Sequence, residues 1–176
     1  MKIVKRSLLV LLGLFLIYTA FVLSLPNQYG LSRSVTIKAT PDKVYQLIAS
    51  PKEWKKWSVW NQRDPNMEMS YSGPESGAGA KWAWKSKSEG NGNMKFFAAA
   101  PAQAITYELE FEGMGKPSTG ALVLENKDGL TEVTWSMTGT SQGNFMMKYF
   151  VPFMDKMVGP DFESGLKNLK ALAEKE

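Results

Sequence analysis

Few side chains in this 176-residue chain can carry reaction chemistry, because the sequence contains no histidine and no cysteine. That excludes disulfides, thiolate nucleophiles, zinc sites built from Cys and His, and the usual proton carrier at neutral pH. We therefore expect no metal site and no cofactor. Asp, Glu, Lys, Tyr, Ser and Thr remain for chemistry.

The carboxylates and arginines form no catalytic motif. Glu108, Glu110 and Glu112 alternate with apolar residues, so they lie on the polar face of a predicted strand and are expected in solvent. Arg63 and Asp64 stand before a proline, a pattern that also predicts an ordinary turn. The residues alone therefore name no catalytic group.

Nucleotides and nucleic acids are improbable ligands. The glycine-rich segment 73–79 lacks the GK[ST] ending of a phosphate-binding loop. The net charge is +4, but Lys2, Lys5 and Arg6 precede the first apolar run, and the remainder carries 18 basic and 17 acidic residues, a net charge of +1. Without a clustered basic face or arm, the sequence predicts no nucleic-acid partner.

Three of the six tryptophans lie in the segment SPKEWKKWSVWNQRDP, residues 50–65. In a helix Trp54 and Trp57 are about 60° apart, and the lysines between them cover the opposite, solvated side. Trp54 is expected to pack against a sheet. Trp57 and Trp60 either pack in the same way or line a binding site, and we expect Trp60, just past the helix end, to face a ligand.

The amino terminus predicts a membrane anchor. Residues 7–25 carry no charge, and as a helix at ~1.5 Å per residue they span about 28 Å, close to the ~30 Å hydrocarbon core. A cleaved signal peptide is the alternative, although its apolar region is usually shorter and this segment ends without a good cleavage site. The preceding cations place the amino terminus in the cytoplasm and the domain outside. The predicted organisation is an anchor (1–26), a linker (27–32) and one domain (33–176).

Within the domain the periodicity changes along the chain. Alternating residues predict a strand over 33–39, and two short helices then begin at Pro41 and Pro51. Six further strands follow, separated by turn signals. From residue 144 the spacing becomes helical, with one or two short helices over 144–158 and a final helix over 160–174, divided at Gly159-Pro160. The order predicts an α+β domain with an antiparallel sheet covered by the last helix.

Four segments carry a resemblance to a known family: SVTIKATPDKVYQLIASPKEWKKWSVW, GAKWAW, TEVTWSMTG and GPDFESGLKNLKALAE. The chain resembles the START-like (SRPBCC) superfamily, and within it the polyketide cyclase/dehydrase group, over residues 31–175. The resemblance implies the helix-grip fold, in which a curved antiparallel sheet of about seven strands packs on a long carboxy-terminal helix. Two short helices follow the first strand.

Members of that superfamily commonly hold an apolar or amphipathic ligand between the sheet and the last helix. The resemblance therefore implies ligand-binding positions at the mouth, on the inward face of the strands and on the helical segment: Trp57, Trp60, Trp84, Phe96, Tyr107, Trp135, Phe150 and Met157. For each of them packing in the core is the alternative. The methionines and phenylalanines over 145–157 either pack in the ordinary way or form a mobile lid over the cavity.

The predicted function is membrane-anchored binding of a hydrophobic small molecule or lipid, and the residues leave open whether a reaction is catalysed. A polyketide cyclase or dehydratase, in which we expect a buried Tyr, Asp or Glu to act, is one alternative, and a ligand-responsive interaction module of the cell envelope is another. A carboxylate or Arg facing an apolar cavity would favour the enzyme, whereas a wholly apolar cavity would favour carriage. A filled interior with an exposed apolar patch would favour the interaction module.

Overall fold

Seven strands form one antiparallel sheet in the computed structural model, which describes residues 2–175. The sheet order is β1-β7-β6-β5-β4-β3-β2, so each strand from β2 to β7 pairs with its neighbour in sequence and β7 returns beside β1. A bulge between Phe96 and Ala98 bends β4. The strands are β1 (Gln28–Ile37), β2 (Glu68–Ser72), β3 (Lys81–Lys85), β4 (Gly92–Ala100), β5 (Ala104–Phe111), β6 (Ser118–Lys127) and β7 (Leu130–Thr140).

The helices confirm the predicted α+β helix-grip architecture. One apolar helix precedes the sheet, three short helices follow β1, and a long helix ends the chain. Trp60, expected just past a helix end, lies in the third short helix instead. The helices are α1 (Lys2–Ser24), α2 (Pro41–Ile48), α3 (Pro51–Trp57), α4 (Val59–Arg63), α5 (Phe145–Lys148), a 3₁₀ turn (Val151–Phe153) and α6 (Met154–Ala173).

The sheet begins earlier than predicted. Residues 28–32, expected in the linker, belong to β1 and pair with residues 136–140 of β7. Two contacts explain the extension: Leu31 is buried in the core, and the Tyr29 hydroxyl lies 3.0 Å from Ser118 Oγ. Only residues 25–27 separate α1 from the sheet.

α1 is exposed along almost its whole length, apart from Val22. Of the helices in residues 2–175, it alone is long and apolar enough to cross a membrane, although a signal sequence would have the same properties.

Gly159-Pro160 does not divide the last helix, contrary to prediction. α6 begins at Met154 and continues through Pro160, although proline cannot donate the backbone hydrogen bond at that position. Contacts with the sheet hold α6 on both sides of the proline: the guanidinium of Arg33 joins Asp155 (2.8 Å) to Glu163 (2.6 Å), and Phe162 packs on Trp135. A side chain at Gly159 would overlap this guanidinium, so glycine suits the close approach.

The core lies between the sheet and helices α2, α3 and α6. Trp54 is 3% exposed and stands at the centre of an aromatic cluster, with ring centroids 4.6–5.8 Å from those of Trp57, Trp82, Phe96, Tyr107 and Trp135. Phe162 of α6 stacks on Trp135 of β7 at 3.9 Å, which fixes the middle of α6 on the sheet. The predicted packing of Trp54 against the sheet is confirmed.

Candidate functional site

A cavity of about 500 Å³ opens between the amino-terminal part of α6 and one end of the sheet. Six of the ten methionines line it, namely Met114, Met137, Met146, Met147, Met154 and Met157. The volume lies within the range of small-molecule sites in proteins. Methionine is flexible and polarizable, so a wall rich in it adapts to apolar ligands of different shape.

Three parts of the fold form the walls of this cavity. The floor consists of Leu109, Ser118 and Met137, from the ends of β5, β6 and β7. The first turns of α6 form the roof, with Met157 and Val158 facing inward. The side wall is the segment between β7 and α6. Met146, Met147 and Phe150 of this segment face the cavity.

A polar cluster interrupts the apolar wall. Arg63 Nη1 donates to Asp161 Oδ2 at 3.1 Å, and Arg63 Nη2 contacts the other oxygen of the same carboxylate. Trp60 Nε1 also donates to Asp161 Oδ2 at 3.1 Å, and Glu89 Oε2 lies 3.5 Å from Arg63 Nη1. The hydrogen bond to Asp161 raises the pKa of Arg63 above its usual value.

The cluster holds a side chain of the wall in place. Both oxygens of Asp161 are occupied, and only 14% of its side chain is exposed. Asp161 is therefore committed to Arg63 and to the indole of Trp60, which it fixes against the cavity. In this arrangement it is a positioning residue for Trp60.

A second, smaller cavity of about 40 Å³ adjoins the first one. Trp60, Glu89, Leu109 and Phe111 border both, so these four side chains form the partition between them. The small cavity continues inward to Trp54 and to the aromatic and methionine side chains of β2, β3 and β4.

The structure divides the eight predicted site residues into two groups. Trp60, Phe150 and Met157 line the large cavity, and Trp84 lines the small one. The other four are buried in the core and border neither cavity: Trp57, Phe96, Tyr107 and Trp135.

Hydrogen bonds explain why two of the core tryptophans are settled there. Trp57 Nε1 donates to the Leu47 carbonyl at 3.1 Å, and Trp135 Nε1 donates to the Tyr107 hydroxyl at 2.7 Å. Burial raises the pKa of Tyr107 well above its usual value. A neutral hydroxyl engaged with Trp135 and enclosed by aromatic rings is not placed to act on a ligand.

Sequence reasoning missed the partnership of Asp161 with Trp60 and Arg63. Asp161 follows Met157 by four residues and shares a helix face with it, because α6 is continuous. The break predicted at Gly159-Pro160 separated the two residues and hid this spacing. Nothing in the sequence indicated Glu89, which reaches the cavity from the turn between β3 and β4.

Comparison with known proteins gives a family match. The profile of the family described as "Polyketide cyclase / dehydrase and lipid transport" matches residues 29–174. No curated protein matches the sequence.

Several solved structures share the fold. The di-domain ARO/CYC BexL from the BE-7585A biosynthetic pathway superposes with a TM-score of 0.63 at 15% identity, covering 88% of this chain and 53% of its own. The Aha1 dimer from Colwellia psychrerythraea superposes with a TM-score of 0.59 at 18% identity, covering 82% of this chain and 96% of its own. Protein CV1439 from Chromobacterium violaceum superposes with a TM-score of 0.57 at 17% identity, covering 86% of this chain and 100% of its own. At these identities the likeness concerns the fold alone.

Proposed function

Because the chain belongs to the polyketide cyclase/dehydrase and lipid transport family, whose match supports a ligand-binding or cyclase-like role, we propose that it binds a hydrophobic small molecule or lipid. The observation that carries the proposal is the cavity of about 500 Å³ with its methionine-rich wall. We further propose that α1 is an uncleaved anchor holding the domain at a membrane. An anchored domain and an apolar cavity both suit a ligand that partitions into lipid.

An apolar ligand would gain affinity from the apolar area that the cavity offers. Each Å² of apolar surface removed from water contributes roughly 25 cal/mol, and methionine, phenylalanine and tryptophan side chains supply most of the wall. Most of the few polar groups on the wall already have partners: Asp161 is bonded to Arg63 and Trp60, and the Tyr29 hydroxyl lies 3.0 Å from Ser118 Oγ. Apolar contact would therefore supply most of the affinity for a ligand.

A cyclase-like reaction is the second candidate, and one observation favours it: the cavity is not wholly apolar, because Arg63, Glu89 and Asp161 reach its wall. Of the two carboxylates, Glu89 is the less occupied, with one contact of 3.5 Å to Arg63. Loss of a measured turnover in Glu89→Gln, with folding and ligand binding intact, would establish the enzymatic reading.

Mass spectrometry of co-purified lipids tests the binding function. The full chain is purified from its native membrane, and the extract is compared with that of Met157→Trp, which fills part of the cavity from a half-exposed position. The matched control is Val123→Trp, at a half-exposed site on the outer face of the sheet. We expect a stoichiometric apolar species in the wild type and control that is depleted in Met157→Trp. Equal amounts in all three would contradict ligand binding in this cavity.

Protease protection tests the topology. With the amino terminus in the cytoplasm, protease added to intact spheroplasts should digest the domain. Protection of the domain would overturn the orientation, and a mature protein beginning near Leu25 would make α1 a signal peptide.

A further inference from the structure

We infer that residues 145–153, here called the portal segment, lie within the outer leaflet of the membrane, so that the cavity opens toward lipid. The portal segment comprises α5 and the 3₁₀ turn. The inference rests on the proposed anchoring by α1 and adds to it a second contact between protein and bilayer.

The first observation is the exposure of large apolar side chains. Phe145, Met146, Phe150 and Phe153 are 58%, 65%, 46% and 45% exposed, and Met157, one turn into α6, is 54% exposed. Lys148 is the only charged residue of the portal segment. A cluster of this kind on one edge of a domain is typical of a surface that contacts protein or membrane.

The second observation identifies the membrane as the partner, because the portal segment packs along the side of α1. The Tyr149 hydroxyl donates to Thr19 Oγ1 at 3.1 Å, and the Tyr18 hydroxyl donates to the Tyr149 carbonyl at 3.3 Å. The ring of Tyr149 also stacks on Phe15, with centroids 6.4 Å apart and planes 6° apart.

These contacts set a depth. Thr19 and Phe15 precede Ser24, the last residue of α1, by five and nine positions, which at ~1.5 Å per residue correspond to about 7 and 14 Å along the helix. With α1 spanning the bilayer, Tyr149 lies that far below the outer end of the span. The contact with Thr19 lies within the roughly 5–10 Å to which interfacial helices bury their apolar face, and the contact with Phe15 lies deeper than that range. The portal segment cannot then remain in water.

The polar groups of the portal segment agree with this placement. Lys148 Nζ reaches toward the outer end of α1, where it donates to the Leu23 carbonyl at 3.2 Å and to Asn27 Oδ1 at 2.8 Å. Near a membrane surface, lysine usually buries its alkyl chain and extends its amine toward water. The amides of Tyr149, Phe150 and Phe153 donate to carbonyls within the segment, as backbone groups in lipid must.

The cavity mouth lies on the same edge. Met146, Phe150 and Met157 are exposed and also line the cavity, so the surface that we place in lipid is continuous with the binding site. An apolar ligand would enter sideways from the leaflet without crossing water. The partner that the portal segment fits is therefore the acyl-chain region of a bilayer.

Single-cysteine labelling tests this placement, because the chain has no cysteine of its own. Phe145→Cys and Phe153→Cys place an environment-sensitive fluorophore at exposed portal positions that do not line the cavity. Val123→Cys is the control, an exposed apolar position on the outer face of the sheet, five residues along β6 from Ser118 at the cavity floor. Leu11→Cys, exposed on α1, is the reference for a label in lipid.

The full-length variants are reconstituted into phosphatidylcholine vesicles with and without spin-labelled acyl chains. We expect quenching at 145 and 153 comparable to that at 11 and several-fold greater than at 123. If only the label at position 11 is quenched, and the labels at 145 and 153 are quenched no more than the label at 123, the portal placement is overturned and anchoring stays intact. Failure of quenching at 11 would overturn anchoring, and the portal placement with it. Ligand binding has its own test in the lipid extraction.

Discussion

Replacing Trp57 or Trp60 by phenylalanine should have opposite consequences, although the two residues are three positions apart. Trp57 is fully buried, and its indole donates to the Leu47 carbonyl. Four residues after Leu47 stands Pro51, which has no N–H to offer that carbonyl. Trp57→Phe therefore leaves a half-buried acceptor without its donor.

The cost of Trp57→Phe has two parts. An acceptor without a partner costs ~1–3 kcal/mol when it is fully buried, so the lower part of that range applies to this half-buried carbonyl. The smaller ring forfeits roughly 50 Å² of apolar burial, worth about 1 kcal/mol at 25 cal/mol per Å². We expect the free energy of unfolding to fall by about 2–3 kcal/mol, with the affinity for a ligand unchanged, because Trp57 borders neither cavity.

Trp60→Phe should show the reverse. Trp60 is partly exposed, and Asp161 keeps its contact with Arg63 when the indole is lost, so the stability cost should be about 1 kcal/mol or less. Here the roughly 50 Å² of apolar area that the smaller ring forfeits is lost from the contact with the ligand. That loss is worth about 1 kcal/mol of binding free energy, which corresponds to roughly five-fold weaker binding.

Two measurements on the full chain in lipid nanodiscs separate the variants: urea unfolding followed by circular dichroism, and anisotropy of an apolar fluorescent probe corrected for empty nanodiscs. Equal losses of stability with unchanged probe affinity in both variants would refute the assignment of Trp60 to the binding wall. Weaker probe binding in Trp57→Phe alone would refute the assignment of Trp57 to the core.

Two further predictions concern stability. Gly120→Ala should lower the free energy of unfolding by about 1–3 kcal/mol, because its methyl group would overlap the buried ring of Tyr107, whereas Gly30→Ala, whose nearest neighbour would be 3.5 Å away, should be close to neutral in the same urea titration. The second prediction concerns acid. The hydrogen bond from Arg33 lowers the pKa of the Asp155 carboxyl below its usual value of 3.8. The stabilisation of the fold by this ion pair is therefore complete above that pH and is lost as the pH falls through the lower, folded-state pKa. Arg33→Met should therefore flatten the decline of unfolding free energy below about pH 4, and an unchanged acid slope would show that the ion pair contributes nothing to folding.

The sequence was sufficient for the architecture because the relevant signals are local. Alternation along β5 and β7, prolines at the starts of α2 and α3, and the spacing of apolar residues in α6 each depend on neighbours a few positions away. The position of Trp54 followed from the same reasoning, since its face of α3 is opposite the lysines.

The cavity depends on contacts between distant residues, and this is where prediction failed. An inward aromatic on a strand looks the same in sequence whether α6 covers it, as Phe162 covers Trp135, or leaves it beside open space, as for Trp84. Gly159-Pro160 predicted a break in the helix, but Arg33, more than 120 positions earlier, bridges it. No local pattern carries that information.

The connection between α1 and the sheet has a consequence for how any cargo would move. From Ser24 to Gln28 the fully extended chain reaches at most about 14 Å, and Asn27 within it is already held by the amide of Ser141 at 2.8 Å. With α1 in the bilayer and so short a linker, the domain cannot leave the membrane surface to carry a molecule across an aqueous gap. The domain would encounter its ligand only by lateral diffusion in the membrane. Any protein that delivers or collects the ligand would have to reach that membrane.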